Sequence, residues 1–432
     1  MLYNHKNIII SHVYSKDNKG DAALLSVLID DIKREFKNPS ITILTLDSII
    51  ANEKFDGINV KNSFMFYAMK SFHNNFSTLL YSVYIMSITT LWAYIYKYTK
   101  FSLPINHKLK DICLLYSQAD LILPVGGGYI RSQKKGVGSL LNIILLLHPI
   151  KISSIFKKPT ILYTQSVGPF SSKLEEKIVS HTLNNYVDAT ILREDTSLKL
   201  LKKIGVNKNI YRSIDSGFAF KNKNTSYDLR KLLNIKKDKL IVGITARKWL
   251  SITAQNKYEL ELAKTIRYIV EKYNIAVVLI PQVTAEFHKD DDRIVHNRIR
   301  RNIGRSHDIY VINEKLNHHQ IKAIYDSLDF VIGTRFHSVI FSLTSYVPAI
   351  AIEYEHKTGG IMHDLKLDNW VIKIEEVESD KLCQKFDQLV IDSKKYKDHL
   401  KTIMPVYIKK ADESIKIVRK HYDAFVKKQN SN

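Results

Sequence analysis

The chain has 432 residues, 45% hydrophobic and 25% charged, a composition typical of folded globular proteins and unlike that of disordered chains. Lysine and arginine outnumber aspartate and glutamate by 65 to 43, and the resulting net charge of +22 favours anionic partners. Nucleic acid is not expected among them, because the sequence has no zinc-finger spacing, RNP-like aromatic motif or compact basic helix. Two cysteines give no disulfide framework and, with no signal peptide before the first strand, predict a cytoplasmic protein.

The first half alternates short apolar runs with helical stretches. Residues 6–10 predict a first strand and residues 22–36 an amphipathic helix. Asp21 precedes this helix, either as its cap or as part of a loop whose backbone lines a ligand cleft. The further strands predicted in this half are 41–46, 119–125, 160–165, 189–192 and 210–214, and the further helices are 174–186 and 197–204.

Residues 76–96 form an apolar insertion of 21 residues without a charged side chain. A helix of this length is nominally long enough to cross a bilayer. Its many serine, threonine and tyrosine residues favour a helix that lies on the protein or in the membrane interface, and a buried core helix is the alternative. A second apolar helix at 137–147 would form one apolar surface with it.

Glycine-containing turns follow two predicted strands. Gly126, Gly127 and Gly128 come directly after strand 119–125, and such a turn lets backbone N–H groups approach a ligand closely. Gln165 ends strand 160–165 before a second glycine turn. Neither turn matches a dinucleotide-binding or P-loop motif, so no nucleotide is specified. Arg193 follows strand 189–192 beside Glu194, with which a structural ion pair is the alternative to ligand binding.

A polar stretch at 221–228 predicts a linker, after which a second α/β series begins. Its predicted strands are 240–244, 275–280, 309–312, 328–332 and 349–352, and its helices are 258–273, 318–327 and 338–345. Two such series predict an α/β protein with two doubly wound Rossmann-like domains that face a cleft. The expected domains are residues 1–222 and 228–370, followed by a helical, lysine-rich segment at 371–432.

The turn after strand 328–332 contains the residues best suited to catalysis. Arg335 and His337 alternate across Phe336, so an extended turn would direct both side chains to one side. A fixed cation beside a titratable group suits an acid–base step on an anionic substrate. The alternative is that Arg335 is a surface ion-pair partner and His337 a helix cap. Arg247 and Lys357 follow other strands of this half and add cations to the same edge.

No metal site is predicted. His356 and His363 have no ligand spacing around them. Residues 290–292 are three consecutive aspartates that would suit magnesium beside a diphosphate, but a solvated loop or a helix N-cap is the favoured interpretation.

Together these motifs resemble those of the polysaccharide pyruvyl transferases. The resemblance covers about residues 5–370 in order and is strongest at Arg335-Phe336-His337-Ser338. The other matching positions are Gly20, Asp21, Gly126, Gly127, Gly128, 165–169, Arg193, Glu194, Asp215, Arg247, Pro348 and Lys357. The apolar segment 76–96 and the tail after Trp370 depart from the family pattern.

The resemblance implies a GT-B-like fold and the transfer of enolpyruvyl from phosphoenolpyruvate onto two hydroxyls of a sugar, without a metal or organic cofactor. His337 would then donate and accept protons, and Arg335 and Lys357 would hold phosphate or carboxylate with Arg193 or Arg247. The glycine turns would border the sugar acceptor. A lipid-linked oligosaccharide would suit the basic, apolar surface and place the protein peripherally at the inner face of the plasma membrane.

Two other functions remain open at this point. A GT-B-type glycosyltransferase would use the same cations to neutralise the diphosphate of a nucleotide sugar, with His337 as base. A non-catalytic scaffold at the membrane surface of a polysaccharide assembly complex would use the apolar segment and the positive charge, but it gives the strand-end cations no purpose.

Overall fold

The computed structural model describes residues 5–47, 57–70, 75–125, 127–132, 135–223, 227–286, 290–304 and 306–431. The chain forms two compact units, each built around parallel β-sheet. Unit 1 consists of Met1–Ser15, Leu24–Ser216 and Lys410–Asn432, and unit 2 of Lys16–Ala23 and Gly217–Lys409.

Unit 1 has a parallel sheet whose strands are β1 (Lys6–Val13), β2 (Pro39–Thr45), β3 (Ile58–Asn62), β4 (Leu121–Pro124), β5 (Ile161–Gln165), β6 (Ala189–Leu192) and β7 (Ile210–Arg212). The strand order is β3-β2-β1-β4 in one sheet and β5-β6-β7 in another. Parallel bridges from Ile122 to Thr160 and from Val125 to Tyr163 connect β4 to β5. The resulting order begins 3-2-1-4-5-6, which is that of a Rossmann fold.

Unit 2 repeats this order. Its strands are β8 (Ile241–Thr245), β9 (Ala276–Leu279), β10 (Thr284–Ala285), β11 (Asp290–Asp291), β12 (Ile309–Val311), β13 (Phe330–Gly333), β14 (Ala349–Glu353) and β15 (Val371–Lys373). Six of them form the parallel sheet β12-β9-β8-β13-β14-β15, and β10 and β11 form a separate antiparallel pair. Because β8 is the first strand of this unit, its order is again 3-2-1-4-5-6.

The helices that connect these strands are α1 (Lys19–Glu35), α2 (Phe64–Lys70), α3 (Asn75–Thr99), α4 (His107–Gln118), α5 (Val137–Ile155), α6 (Lys173–Tyr186), α7 (Asp195–Lys203), α8 (Leu229–Leu233), α9 (Ile252–Tyr273), α10 (Asp292–Ile303), α11 (His318–Asp326), α12 (Phe336–Thr344), α13 (His356–Asp364), α14 (Ser379–Ile391), α15 (Ser393–Asp412) and α16 (Ser414–Asn430).

Both faces of the unit 1 sheet are buried, as expected for parallel strands. Ile8 and Ile10 of β1 belong to a core that includes Ile415 of α16. Ile9, between them, belongs to the core on the opposite face with Ile122 of β4. The C-terminal helix therefore completes a layer of unit 1, a role that the sequence of the tail did not reveal.

The α/β class and the two Rossmann-like sheets agree with the sequence prediction, and strand 189–192 has the predicted bounds. Two segments depart from a simple division of the chain into consecutive domains. Lys16–Ala23 belongs to unit 2, where the backbone N–H of Lys19 donates to the carbonyl of Gln282 at 2.9 Å. Lys410–Asn432 belongs to unit 1 because α16 covers its sheet.

The apolar insertion is a helix, α3, that packs partly within unit 1. Its Ile85 and Trp92 are fully buried, whereas Leu80, Tyr84 and Leu91 on another side are each more than half exposed. By length and composition α3 from Ser77 and α5 are the two helices of the described residues that would suffice to cross a membrane, with 33% and 56% of their most apolar windows buried. The structure thus shows neither a fully buried core helix nor a fully exposed one.

Candidate active site

The sheet of unit 2 brings together residues that are far apart in the sequence. Strands β8, β13 and β14 are neighbours, and the end of β13 at Gly333 pairs with Thr245 on one side and Ala351 on the other. Arg247, Arg335 and Tyr354 follow the three strands within two residues of their ends. These side chains therefore lie at the carboxyl edge of the sheet, where ligands bind in open α/β folds.

Arg335 is buried and is held by two carboxylates. Its Nη2 lies 2.5 Å from Oδ1 of Asp290 and 2.6 Å from Oδ1 of Asp292, and its side chain is 8% exposed. Burial alone would lower the pKa of Arg335, but Asp292 and Asp290 raise it above the ordinary arginine value. The guanidinium therefore keeps its positive charge, and the carboxylates of Asp290 and Asp292 already balance that charge. This differs both from a substrate-facing cation and from a surface ion pair, the two interpretations drawn from the sequence.

The acidic run 290–292 serves the same ion-pair network. Asp291 is the N-cap of α10 and accepts a hydrogen bond from the backbone N–H of Arg293. Asp292 is 1% exposed and accepts further hydrogen bonds from the backbone N–H groups of Gln282 and Val283. The helix-cap interpretation is thus confirmed for Asp291, and Asp292 additionally anchors Arg335.

Thr245 holds the turn between β13 and α12. Its Oγ1 accepts a hydrogen bond from the backbone N–H of Thr334 at 2.8 Å and lies 3.0 Å from Oγ of Ser338. Arg335 is the N-cap of α12, so the ion pairs of its side chain fix the start of that helix. These interactions fix the backbone that carries the next two residues, Phe336 and His337.

His337 lies in the first turn of α12 and is partly exposed. Its ring centroid is 5.1 Å from that of Phe336 in an edge-on arrangement. On another side the imidazole packs against the backbone of Gly20, so closely that a β-carbon there would overlap the ring. A glycine in the first turn of α1 therefore leaves the space that the imidazole occupies, and both residues belong to unit 2.

Asn18, rather than Asp21, caps α1. The side-chain oxygen of Asn18 accepts from the backbone N–H groups of Gly20 at 3.2 Å and Asp21 at 3.4 Å. The carboxylate of Asp21 accepts a hydrogen bond from the Asn18 amide. The prediction that Asp21 caps the helix is corrected in this way: the helix begins earlier, at Lys19, which places Asp21 in its first turn.

Arg247 packs beside two aromatic rings that also contact each other, with ring centroids 4.8 Å apart. Its guanidinium carbon is 4.4 Å from the ring centroid of Tyr354 and 4.9 Å from that of Trp249. The nearest carboxylate, that of Asp290, is 3.8 Å away, and the side chain is 13% exposed. Within the described part of the chain the buried Nε of Arg247 has no hydrogen-bond partner. This cation is held in place by the rings and retains one buried donor without a hydrogen-bond partner among the described residues.

The loop that carries Arg247 is fixed by one side chain of α9. The amide oxygen of Gln255 accepts from the backbone N–H groups of Trp249 and Leu250, and its amide nitrogen donates to the carbonyl of Arg247. Gln255 is 4% exposed. The position of Arg247 therefore depends on buried hydrogen bonds rather than on a mobile loop.

Lys357 and Tyr354 complete the group. The ammonium of Lys357 lies 2.8 Å from Oε2 of Glu355 and over the ring of Phe336 at 5.4 Å. Burial would raise the pKa of Tyr354, but Lys357 and Arg247 together lower it below its ordinary value. The positive potential around this phenol is thus strong enough to overcome its desolvation.

Two helices begin beside these cations. The N-cap residues of α12 and α13 are Arg335 and Glu355, and neither makes a side-chain cap hydrogen bond within the described residues. Helix N-termini of this kind attract anions because their first N–H groups lack intrahelical partners. We name the group formed by Arg247, Trp249, Phe336, His337, Tyr354 and Lys357 the unit 2 cluster.

The strand ends of unit 1 form a separate, self-neutralised group. Nη1 of Arg193 lies 2.5 Å from Oδ2 of Asp215, and both side chains are almost completely buried. Nε of Arg193 donates to Oγ of Ser166 at 2.7 Å. The ion pair expected for Arg193 therefore exists, but its partner is Asp215 and not Glu194.

The turn after β4 lies against this group. The carbonyl of Gly127 accepts from the backbone N–H of Ser166, and Gly128 is near the Arg193 guanidinium. Gln165 is fully buried and its amide donates to the carbonyl of Pro124. Gln165 thus joins β5 to β4, while its amide oxygen has no hydrogen-bond partner among the described residues. Gly126 lies outside the described residues.

Among the residues that the structure describes, no cluster of three or more histidine, cysteine, aspartate or glutamate side chains is placed to hold a metal ion. His363 forms a pair with Asp368 at 2.7 Å on an exposed surface. His356 is exposed as well.

Sequence reasoning missed Trp249, Tyr354, Asp290 and Gly20 as parts of the site. Tyr354 follows β14 directly and Trp249 lies two residues after Arg247, so a search for aromatic residues beside strand-end cations would have found both. Gly20 was noted only as a motif residue. Its contact with His337 has no signal in the sequence.

Comparison with known proteins gives the family. The family model described as polysaccharide pyruvyl transferase matches residues 18–356. The amylovoran biosynthesis protein AmsJ of Erwinia amylovora is 26% identical over 260 residues, which is 58% of this chain. The chain spans 60% of the length of that curated relative.

Solved structures show the fold. The UDP-GlcNAc 2-epimerase of Neisseria meningitidis bound to UDP-GlcNAc is 11% identical with a TM-score of 0.59, covering 96% of this chain and 98% of its own. MnaA of S. aureus, solved with UDP, is also 11% identical with a TM-score of 0.59. The match covers 98% of this chain and 97% of MnaA. Anabaena HepE in complex with UDP-glucose is 13% identical with a TM-score of 0.55, and the match covers 99% of this chain and 100% of HepE. At these identities the likeness establishes a GT-B-like architecture and nothing further.

Proposed function

This chain belongs to the polysaccharide pyruvyl transferase family, and we propose that it transfers the enolpyruvyl unit of phosphoenolpyruvate onto two hydroxyls of one sugar. The products are a cyclic pyruvate ketal and inorganic phosphate. The proposed acceptor is a sugar of a bacterial polysaccharide precursor carried on a lipid, at the cytoplasmic face of the membrane. The observation that carries the proposal is the unit 2 cluster, which combines two partly exposed cations with a histidine.

The charges of the donor match this cluster. Phosphoenolpyruvate has a phosphate and a carboxylate, so it needs more than one fixed cation. Arg247 and Lys357 supply two, and the rings of Trp249, Tyr354 and Phe336 limit where these cations can move. The start of α12, whose N-cap residue makes no side-chain cap hydrogen bond within the described residues, adds N–H donors for the same anion.

Arg335 takes a different part in this proposal from the one its sequence position implied. Asp290 and Asp292 already use its hydrogen-bonding capacity. We therefore assign it the role of a positioning residue, which fixes the start of α12 and with it His337.

His337 is the proposed acid and base. In the first step a proton is added to the methylene carbon of phosphoenolpyruvate, and positive charge develops at C2. A sugar hydroxyl then attacks C2, forming one C–O bond and losing its proton. One imidazole near neutral pH can give the first proton and accept the second.

The second step closes the ketal. A second hydroxyl of the same sugar attacks C2 while the bond from C2 to the phosphate oxygen breaks. The proton of this hydroxyl leaves with the phosphate, so one methylene becomes a methyl group and two hydroxyls become ether oxygens. Arg247 and Lys357 would stabilise the charge that builds up on the departing phosphate.

The unit 1 turn is the proposed acceptor-binding element. Gly127 and Gly128 expose backbone, while Gln165 and the Arg193–Asp215 pair hold that backbone in place from beneath. Under this proposal Arg193 and Gln165 support the turn and do not contact the donor.

The proposal is tested with the donor first and the product second. Calorimetry should show that the wild-type protein binds phosphoenolpyruvate, and mass spectrometry of glycan from cells with and without the protein should show one added pyruvate ketal. His337→Gln should bind the donor with nearly unchanged affinity but form ketal about 10²- to 10⁴-fold more slowly, because it removes the proton-transfer group.

His363→Gln is the matched control, since His363 is exposed in the same unit and lies outside the unit 2 cluster. Near-normal ketal formation by a folded His337→Gln protein would remove this histidine from the mechanism. Consumption of a nucleotide sugar in place of phosphoenolpyruvate would instead identify a glycosyltransferase on the same fold.

A further inference from the structure

Helix α3 carries an apolar face that unit 1 does not cover. One side of the helix packs into the core through Ile85, Met86 and Trp92, each less than a tenth exposed. The exposed apolar side chains recur at helical spacing along another side: Leu80, Val83, Tyr84, Leu91, Tyr94 and Tyr98. Between 40% and 74% of each of these six side chains is exposed. A continuous exposed row of this kind is uncommon unless it serves an interaction.

A groove extends this apolar face. It has a volume of about 600 Å³ and is formed by α3, α5 and α6. Its walls include Val83 and Leu91 of α3, Leu141 and Ile144 of α5 and Ile178 of α6. Exposed leucine and tyrosine on α3 therefore continue into a groove with apolar walls. We call the exposed row and this groove together the α3 surface.

Basic and aromatic side chains gather at one end of the α3 surface. Lys97 lies 5.1 Å from the ring centroid of Tyr98, and Lys100 lies 5.6 Å from that of Tyr96. In the groove Lys151 donates to the hydroxyl of Tyr186 at 3.0 Å. Burial lowers the pKa of Lys158, Asp120 raises it and Lys100 lowers it, so Lys158 and Lys100 lie near each other with the carboxylate of Asp120 nearby.

This arrangement of apolar, tyrosine and lysine side chains suits a membrane interface, where lipid hydrocarbon meets anionic headgroups. Leucine and valine suit the hydrocarbon, tyrosine suits the boundary, and lysine reaches the phosphates. From residue 75 to residue 96 the helix has no charged residue, and therefore no carboxylate that would repel an anionic surface. The alternative is an interface with a second copy of the chain, but a self-association surface gives no reason for an end at which lysines outnumber carboxylates.

We propose that the α3 surface docks onto a membrane leaflet that contains anionic lipid, with α3 lying in the plane of the interface. A transmembrane position is incompatible with the packing of α3, because its buried side is fixed to the protein. Ile85 and Trp92 of α3, for example, belong to the same core as Ile9 of β1. The membrane-facing side is the remaining apolar side.

The choice of a membrane as the partner rests on the proposed function, because docking would bring the protein to an acceptor that is carried on a lipid. Vesicle binding, however, needs neither donor nor acceptor. The docking surface and the reaction can therefore fail independently in experiments.

The test is co-sedimentation of the full chain with vesicles of phosphatidylcholine, with and without phosphatidylglycerol. The wild-type protein should bind the anionic vesicles more strongly, and added salt should weaken that binding. Leu91→Glu should lower the partition coefficient by about tenfold or more, because a carboxylate enters the apolar contact. Ile391→Glu is the matched control, since Ile391 is 74% exposed and belongs to unit 2.

Unchanged thermal unfolding shows that the variant is folded, and Tyr98→Glu, at the most exposed position of the row, replaces Leu91→Glu if that variant does not fold. Equal binding of the wild type and the folded variant to anionic vesicles overturns the proposal. So does a wild-type dimer that Leu91→Glu converts to monomer without a change in vesicle binding. Loss of vesicle binding with normal ketal formation on a soluble acceptor supports the docking surface as separate from the chemistry.

Discussion

The strand ends of the two units carry arginines in similar positions but in different electrostatic situations. In unit 1, Arg193 is buried against the equally buried Asp215. In unit 2, Arg335 is buried against Asp290 and Asp292, whereas Arg247 packs beside two rings and lies 3.8 Å from the carboxylate of Asp290. The described residues of the second unit thus combine a structural arginine with one whose Nε has no hydrogen-bond partner.

This difference shows that a strand-end arginine is not by itself evidence of an anion site. What decides is whether a carboxylate of the protein already neutralises it. A buried, paired guanidinium is costly to disturb and serves the fold. A guanidinium held by aromatic rings keeps its position while its charge is not balanced by a close carboxylate. It can therefore bind an anionic ligand.

The largest expected effect is on stability, from removal of the buried arginines. Arg335→Gln leaves Asp292 buried without its cation, and Arg193→Gln does the same to Asp215. Each change should lower the free energy of unfolding by about 3–5 kcal/mol, since an uncompensated charge remains in the interior. Denaturant unfolding followed by circular dichroism measures this.

Lys264→Gln is the control, because it removes an exposed ion pair with Glu261 and should cost less than about 1 kcal/mol. If Arg335→Gln proved as stable as the wild type but lost donor binding, the assignment of Arg335 as a positioning residue would be wrong.

How much the sequence could predict depends on burial. Strand β6 was predicted with its observed bounds because four buried residues, three of them apolar, are enclosed by Asp188 and Arg193. Strand β3 was missed because Ile58–Asn62 lies at the sheet edge, is partly exposed and has only two apolar residues, Ile58 and Val60. The first turns of α9 were missed for the same reason, since residues 252–257 are largely exposed and polar.

The second expected effect is a loss of activity when Arg247, the cation held by the aromatic rings, is replaced. Arg247→Gln removes the charge while the rings and the hydrogen bonds of Gln255 to the loop remain. The value of kcat/KM for phosphoenolpyruvate should fall by about 10- to 100-fold, the equivalent of one charged hydrogen bond. Steady-state phosphate release measures this effect.

Stability should change little in Arg247→Gln, in contrast to Arg335→Gln. A loss of stability as large as that of Arg335→Gln, with normal kinetics, would reverse the roles given to these two arginines.

The site shows a second limit of sequence reasoning. The spacing of Arg335 and His337 placed them correctly at a strand end, but the partners of Arg335 lie 43 and 45 residues earlier in the chain. Likewise the ring of Tyr354 reaches Arg247 only because β8, β13 and β14 are adjacent. Which cation is neutralised is a property of the fold, and no local pattern encodes it.

A smaller effect should follow from crowding His337. In Gly20→Ala the new β-carbon would overlap the imidazole, so the ring must turn away. The value of kcat should fall by about tenfold while KM for phosphoenolpyruvate stays similar, because proton transfer depends on geometry and donor binding does not.

Gly138→Ala in α5 is the matched control, since a β-carbon there meets no atom within 4 Å. Equal kcat values for the two variants would mean that the contact between Gly20 and His337 has no part in catalysis.

The smallest expected effect concerns the carboxylate nearest to Lys357. Glu355 is the protein group that competes with the donor for this ammonium, at 2.8 Å. Glu355→Gln keeps the shape of the side chain but removes its charge, so Lys357 should attract the anionic donor more strongly. We expect KM for phosphoenolpyruvate to fall by about two- to fivefold, with less than about 1 kcal/mol change in stability, because the pair is partly exposed. An increase in KM would mean that Glu355 orients Lys357 for the donor rather than competing with it. The rule that neutralisation decides the role of a cation would then not extend to this lysine.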